Sequence, residues 1–223
     1  MIRMRVILLK MLVWMPFSIM VGTIMVVLVF RYVPVKYTPL MLKRWVMRDK
    51  SDGYCRIQEW IPLEGMGENV IKAVVLGEDA RFWQHCGVDL KEIGRMLVKW
   101  ERGDSRLRGC STISQQVAKN CFTFCSDTAL RKILELYWTG VLEIFWSKER
   151  ILEVYLNVAE MGYGIYGVEA AAQNYFGCSS CDLGIYDAAA LAVCLPCPLQ
   201  KSPFAMDAGD RVKMNRLLMA LKR

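Results

Sequence analysis

Glu78-Asp79-Ala80-Arg81-Phe82-Trp83-Gln84-His85 and, two dozen residues later, Gly109-Cys110-Ser111-Thr112-Ile113-Ser114-Gln115-Gln116 are the stretches from which the rest of the chain can be read. The first sets an acid pair beside two aromatics and the chain's only histidine. Upstream of it, Val70, Ile71, Val74 and Val75 recur at helical spacing and predict a helix that delivers Glu78 near its C-terminal end. Neighbouring helical residues do not share a face, so one carboxylate faces a cleft while the other caps or pairs. Phe82 and Trp83 offer an apolar wall that raises the pKa of a nearby carboxyl. A Glu-Asp pair taken alone is more often surface decoration.

The second stretch reads as a loop tipping into a helix. Thr112 and Gln115 have capping-box spacing. Free N–H groups at a helix start attract anions, and Ser111 and Thr112 add hydroxyls. Ser111, Gln115 and Lys119 follow at four-residue intervals on one face, a stripe suited to phosphate and sugar hydroxyls; the plain alternative is a capped, solvated helix. Arg131-Lys132-x-x-Glu135 supplies a further carboxylate beside basic groups, or simply a surface ion pair.

Outward from these blocks, helix dominates. Asp89 is the expected N-cap of a helix through Glu101. Residues 102–109 are polar and basic and read as a mobile loop. A long apolar helix is expected over 129–146, another from a Ser147 cap through Asn157, and two more near 167–175 and 186–194. Prolines 196, 198 and 203 then interrupt the chain. No repeat and no strand pattern stands out, so the part beyond the N-terminal segment is expected to be one α-rich domain.

At the N-terminus, twenty uncharged residues from Met11 to Phe30 match the roughly 30 Å of a bilayer core. The run exceeds a signal-peptide apolar region of ~7–15 residues and no small-residue cleavage site follows, so a retained anchor is expected. The expected layout is a tail over 1–10, a transmembrane helix over 11–30, a membrane-proximal connector over 31–67 and a globular domain over 68–223. Arg3, Arg5 and Lys10 precede the apolar run and Arg31, Lys36, Lys43, Arg44, Arg48 and Lys50 follow it. Simple counting would keep the following side in the cytoplasm, but long domains translocate largely regardless of charge, so the rule is weak here. The formal charge of +7 suits anionic lipid or an anionic substrate, and no nucleic-acid motif accompanies it. Nine cysteines cannot all pair internally. Cys178-x-x-Cys181 and Cys194-x-x-Cys197 have the spacing of a zinc ribbon, with small buried cysteines as the plainer alternative.

These blocks, followed by Lys148-x-x-Ile151-Leu152-Glu153-x-Tyr155-Leu156-Asn157 and Gly167-Val168-Glu169-Ala170-Ala171-Ala172, resemble in order and spacing the peptidoglycan glycosyltransferase family (glycosyltransferase family 51) over residues 68–200. Trp146-Ser147-Lys148-x-Arg150 and Asn157-Val158-Ala159-Glu160-x-Gly162 are similar to its monofunctional biosynthetic transglycosylases. With no Ser-x-x-Lys, a transpeptidase domain is not expected.

The resemblance implies an all-α, lysozyme-like fold on the outer, periplasmic face of the cytoplasmic (inner) membrane, with a single-pass anchor and a cytoplasmic N-terminus. It also implies polymerisation of lipid II onto a growing glycan chain, with inversion at the anomeric carbon and loss of undecaprenyl pyrophosphate, in cell-wall biogenesis. Glu78 is then the general base and Glu135 the second carboxylate. Ser111, Thr112, Gln115, Gln116, Lys119, Arg131, Lys132 and Asn157 hold pyrophosphate and sugars. A divalent cation (Mg or Mn) at the pyrophosphate is allowed but not required, and membrane lipids and other cell-wall or division proteins are the expected partners. Three positions depart from the pattern: Asp127 where Arg is usual, Cys110 where Gly or Ala is common, and Gly77 before the acid pair. A glycan hydrolase and a non-catalytic lipid II-binding scaffold are the competing expectations.

Overall fold

The structure, a computed structural model, describes residues 2–48, 54–103, 111–124 and 129–222, with side chains from residue 14 onward. The chain divides into two compact units, Met1–Pro34 and Val35–Arg223. The first is built on α1 (Ile2–Phe30), which contains Pro16 and begins well ahead of residue 11. Its described side chains are largely apolar and exposed, Trp14, Phe17 and Ile19 among them. Ser18 Oγ donates to the Trp14 carbonyl and Thr23 Oγ1 to that of Met20, so both hydroxyls are satisfied within the helix. Among the described residues, no helix is long and apolar enough to cross a membrane.

The second unit is mostly helical. Its elements are α2 (Pro39–Met47), β1 (Ile57–Gln58), α3 (Glu68–Glu78), α4 (Leu90–Glu101), α5 (Ile113–Phe122), α6 (Ala129–Phe145), α7 (Lys148–Val158), β2 (Glu160–Gly162), β3 (Ile165–Tyr166), α8 (Val168–Phe176), α9 (Ile185–Cys194) and α10 (Ala208–Leu221). The expected starts are built by side chains. Asp89 Oδ1 accepts from the Lys91 and Glu92 N–H groups, Ser147 Oγ from that of Arg150, and Thr112 with Gln115 closes a full capping box.

Three elements depart from the sequence expectation. A small sheet, ordered β1-β3-β2 with β1 parallel to β3 and β2 antiparallel, exists where no strand was expected. Its strands are two or three residues long, too short to show an alternating pattern. Helix α2 lies in the proline-bearing connector; Thr38 Oγ1 accepts from the Met41 N–H, and Pro39 takes the first helical position, where a missing N–H costs nothing. Helix α10 follows the last prolines and is capped by Asp207. The proposed mobile loop over 102–109 lies outside the described residues from 104 onward.

Two helical groupings frame the site. In one, α3 packs on α9 and α10; in the other, α5 packs on α6 and α7. Val70, Ala73 and Val74 of α3 are buried, as are the alanines of α9, whose small size suits close contact. Ile113, Val117, Ile151, Leu152 and Leu156 fill the second grouping, each side chain contributing about 1.5–3 kcal/mol by leaving water. Gly167 joins this core to α8. Its φ is +86°, and a Cβ there would lie 2.7 Å from the Asn157 carbonyl oxygen, so only glycine fits.

Candidate active site

Helix α3 ends at Glu78, and the backbone leaves the helix at Asp79. The two carboxylates therefore diverge. Glu78 is half-buried, and Gln116 Nε2 of α5 donates to its Oε2 at 2.6 Å. Desolvation raises the Glu78 pKa above the ordinary carboxylate value; the Gln116 hydrogen bond and the Lys119 charge pull the other way, and Asp79 adds to the rise. A raised pKa makes a carboxylate a stronger base than one free in water. Tyr155 of α7 donates its hydroxyl to Gln116 Oε1 at 3.1 Å, which orients the amide toward Glu78.

Asp79 has a framing task. Its carboxylate lies 3.0 Å from His85 Nε2 through either oxygen and accepts from the Ile113 N–H at 3.1 Å. It thus ties the end of α3 to the start of α5, where the helix dipole favours negative charge. Thr112 Oγ1 donates to the Gly87 carbonyl at 2.5 Å and fastens the same junction. Phe82 is fully buried in edge-to-face contact with Trp83 and His85, under the Lys148 ammonium.

The other expected carboxylate, Glu135, is 2% exposed within α6. Lys132 Nζ lies 2.5 Å from its Oε1 and Arg131 Nη1 3.5 Å from its Oε2. Lys132 Nζ also reaches Ser111 Oγ at 3.4 Å, which links this ion cluster to the loop entering α5.

Two cavities meet at Glu78. The larger, about 810 Å³, is lined by Glu78, Ser111, Gln116, Lys119, Asn120 and Tyr155 on one side and by Arg44, Lys201 and Lys213 elsewhere on its wall. The smaller, about 430 Å³, runs toward α4 past Arg81, Arg95 and Lys99. Gly77, Glu78 and Ser111 belong to both. Arg131 lines a third space of about 260 Å³ that shares Lys119 and Asn120 with the larger one.

Of the residues singled out in the sequence, Glu78, Ser111, Gln116 and Lys119 therefore converge on one cavity, and Arg131 and Lys132 gather on Glu135. Thr112 lines the smaller cavity while serving as a cap. Gln115 is buried, its Oε1 accepting from the Thr112 N–H. Asn157 is buried too: its Oδ1 accepts from the Ile61 N–H, and its Nδ2 donates to the Ile61 and Glu153 carbonyls. Both of these side chains are occupied by the protein itself. Asp127 and Cys110 lie outside the described residues. Sequence reasoning did not single out Tyr155, Arg44, Lys201 or Lys213 for the site. Tyr155 stood inside a quoted motif, but the other three reach the cavity from distant elements and leave no local pattern.

Among the described residues, no group of three or more His, Cys, Asp or Glu is arranged to hold a metal ion. The larger cavity carries more cations than carboxylates. In the smaller one Asp89 and Glu92 are paired with Arg81 and Arg95 and Asp79 is engaged by His85, so neither presents a donor set that fits a protein-held divalent cation. Cys194 is buried, whereas Cys181 and Cys197 are exposed.

A half-buried carboxylate on a cavity lined by Arg44, Lys119, Lys201 and Lys213 has the form of an enzyme site for an anionic substrate. A family model described as Transglycosylase matches residues 48–222. A biosynthetic peptidoglycan transglycosylase of Pseudomonas putida is 46% identical over 182 residues, covering 81% of this chain and 77% of that protein. One of Bdellovibrio bacteriovorus is 43% identical over 198 residues, covering 88% and 78%. The chain belongs to the transglycosylase family.

Proposed function

We propose that the protein is a peptidoglycan glycosyltransferase that polymerises lipid II in cell-wall synthesis, on a lysozyme-like helical frame. One observation carries the mechanism: Glu78 stands where two cavities join, as transfer between two glycans requires.

In this mechanism the 4-hydroxyl oxygen of the acceptor sugar attacks the anomeric carbon of the lipid-linked donor, and Glu78 takes the hydroxyl proton. The bond from the anomeric carbon to the diphosphate oxygen breaks, and the electron pair leaves with undecaprenyl pyrophosphate. Attack opposite the leaving group inverts the configuration. Lys119 and Arg131, with Lys132 beside Ser111, supply positive charge for the departing diphosphate, the electrostatic contribution that usually dominates such sites. Glu135 holds Arg131 and Lys132 in place.

Membrane attachment through α1, with the domain on the outer face of the inner membrane, belongs to the same proposal. The uncharged run from Met11 to Phe30 supports it. So do the exposed Tyr37, Leu42, Trp45, Val46 and Met47 on and before α2, interleaved with Lys43 and Arg48 as at a headgroup boundary.

Purified full-length protein given labelled lipid II in detergent should yield long glycan chains. Binding without polymer would indicate a scaffold, and shortening of preformed glycan a hydrolase; either result overturns the proposal.

A further inference from the structure

The wall of the larger cavity away from α5 is formed partly by the segment after α9 and by α10. Two lysines stand on it. Lys201 Nζ is hydrogen-bonded to Asp210 Oδ1, and Lys213 Nζ lies 3.5 Å from the same oxygen. Asp210 is 3% exposed and sits in the first turn of α10, where its N–H donates to the Asp207 cap. The Lys201 hydrogen bond holds the Asp210 carboxyl below its ordinary range and raises the Lys201 pKa, so both groups are charged at neutral pH.

Two ammoniums therefore share one carboxylate oxygen, and one positive charge is left over. The excess is not cancelled by the cavity's own carboxylates. Glu160 is already engaged by Arg44, which donates from Nε and Nη2 at 2.8–3.1 Å. Glu78 is already engaged by the Gln116 amide and by the Lys119 charge. Lys213 is the more accessible of the two to a ligand, its side chain 39% exposed against 19% for Lys201.

We propose that Lys201 and Lys213, gathered on Asp210, form an anion-binding wall of the Glu78 cavity that takes a phosphate or carboxylate group of the bound glycan substrate. The inference rests on the transferase function proposed above and extends it to residues outside the motifs that define the family resemblance. Buried Asp210 fixes both lysines before substrate arrives, so little of their side-chain freedom is lost on binding. An ammonium on an anion makes a charge-assisted hydrogen bond in a partly desolvated cleft, one of the stronger polar contacts available. Because this wall stands apart from the ion cluster on Glu135, it is expected to hold substrate uniformly rather than to favour the transition state, and so to act on KM more than on kcat.

The test uses full-length protein in detergent with two probes: lipid II carrying its stem peptide, and the same lipid-linked disaccharide diphosphate without the peptide. Lys213→Gln should raise KM about tenfold while kcat stays within about twofold, the size expected for one charge-assisted contact. Lys213→Arg should restore KM. The paired change Lys201→Gln with Asp210→Asn removes both charges without stranding a buried carboxylate, and should also raise KM. Equilibrium binding of fluorescent lipid II, which does not depend on turnover, should weaken by the same factors. Loss on both probes assigns the anion as phosphate, and loss on the peptide-bearing probe alone as carboxylate; either supports the proposal. Unchanged KM and Kd for both probes in Lys213→Gln and in the paired variant overturn it. Wild-type protein that binds lipid II without polymerising it breaks the transferase function, and the Kd comparison still decides the anion wall. Wild-type protein that does not bind lipid II sinks both.

Discussion

Glu78 and Glu135 are both withdrawn from water, yet their surroundings are opposite. Glu78 ends a helix, receives one neutral amide and faces two cavities. Glu135 lies inside a helix, clamped by Arg131 and Lys132. Burial with a single neutral partner makes a carboxylate a better base at the expense of stability. Burial between two cations spends its charge on holding those cations in place. Under the proposed function, the contrast suits the first to proton transfer and the second to scaffolding of the cationic subsite.

The strongest way to break this contrast is Glu78→Gln. Loss of the base should lower turnover on lipid II by about 10²–10⁴-fold, measured as glycan polymer per unit time. Stability should move the other way. A carboxyl whose folded pKa is raised destabilises the fold once pH exceeds its unfolded value, because the folded protein binds the proton more tightly. At pH 7 the Gln variant should therefore melt at or above the wild-type temperature. The difference should shrink as pH falls through the raised folded pKa toward the ordinary value. A dead variant that is also clearly less stable would show that Glu78 is a structural residue.

Glu135→Gln should have the opposite signature. It strands Arg131 and Lys132 beside a neutral amide, and because Lys132 is partly solvated the cost is about 1–3 kcal/mol rather than that of a fully buried pair. Thermal melts should show the loss, and polymerisation should fall because the cations are no longer held. An unchanged melting temperature would remove the clamp from the argument.

A finer probe is Gln116→Ala. The Gln116 hydrogen bond lowers the Glu78 pKa, so its removal lets desolvation push the pKa further up. The acidic limb of the kcat/KM profile should move to higher pH, leaving less active base at neutrality. A limb that stays put, or moves to lower pH, would mean that the profile reports some other group.

Much of this contrast was legible beforehand, and the illegible part has a physical cause. The divergence of Glu78 and Asp79 follows from helix periodicity, and the caps at Asp89, Thr112 and Ser147 are local chemistry that a short window contains. The environment of each glutamate is not local. Gln116 meets Glu78 across thirty-eight positions and Arg44 meets Glu160 across more than a hundred. The same holds for Asn157, which looked like a sugar ligand in its motif but ties α7 to Ile61. The stripe of Ser111, Gln115 and Lys119 divided for a related reason: an N3 glutamine that completes a capping box turns back onto its own helix start. The strands were hidden by brevity, and α10 by apolar positions that are mostly exposed, with only Leu217 and Leu218 buried among them.

Gly77 offers the smallest effect, a test of whether the end of α3 must stay pliable to present Glu78. It is helical, and a Cβ there would meet Ala192 Cβ at 3.6 Å and Leu217 Cδ2 at 3.9 Å, ordinary contact distances on the face toward α9 and α10. Alanine removes backbone freedom from the unfolded chain and adds a methyl to an interface with room for it. Gly77→Ala should therefore stabilise the fold by about 0.5–1 kcal/mol in denaturant unfolding. Gly167, with its φ of +86° and the Asn157 carbonyl oxygen 2.7 Å from any Cβ, is the internal control. The same change there should cost on the order of 1–3 kcal/mol. Were Gly77→Ala instead to destabilise the protein, the packing of α3 against α9 and α10 would be tighter than these distances allow. The placement of Glu78 would then depend on that closeness rather than on its helix end and the Gln116 bond.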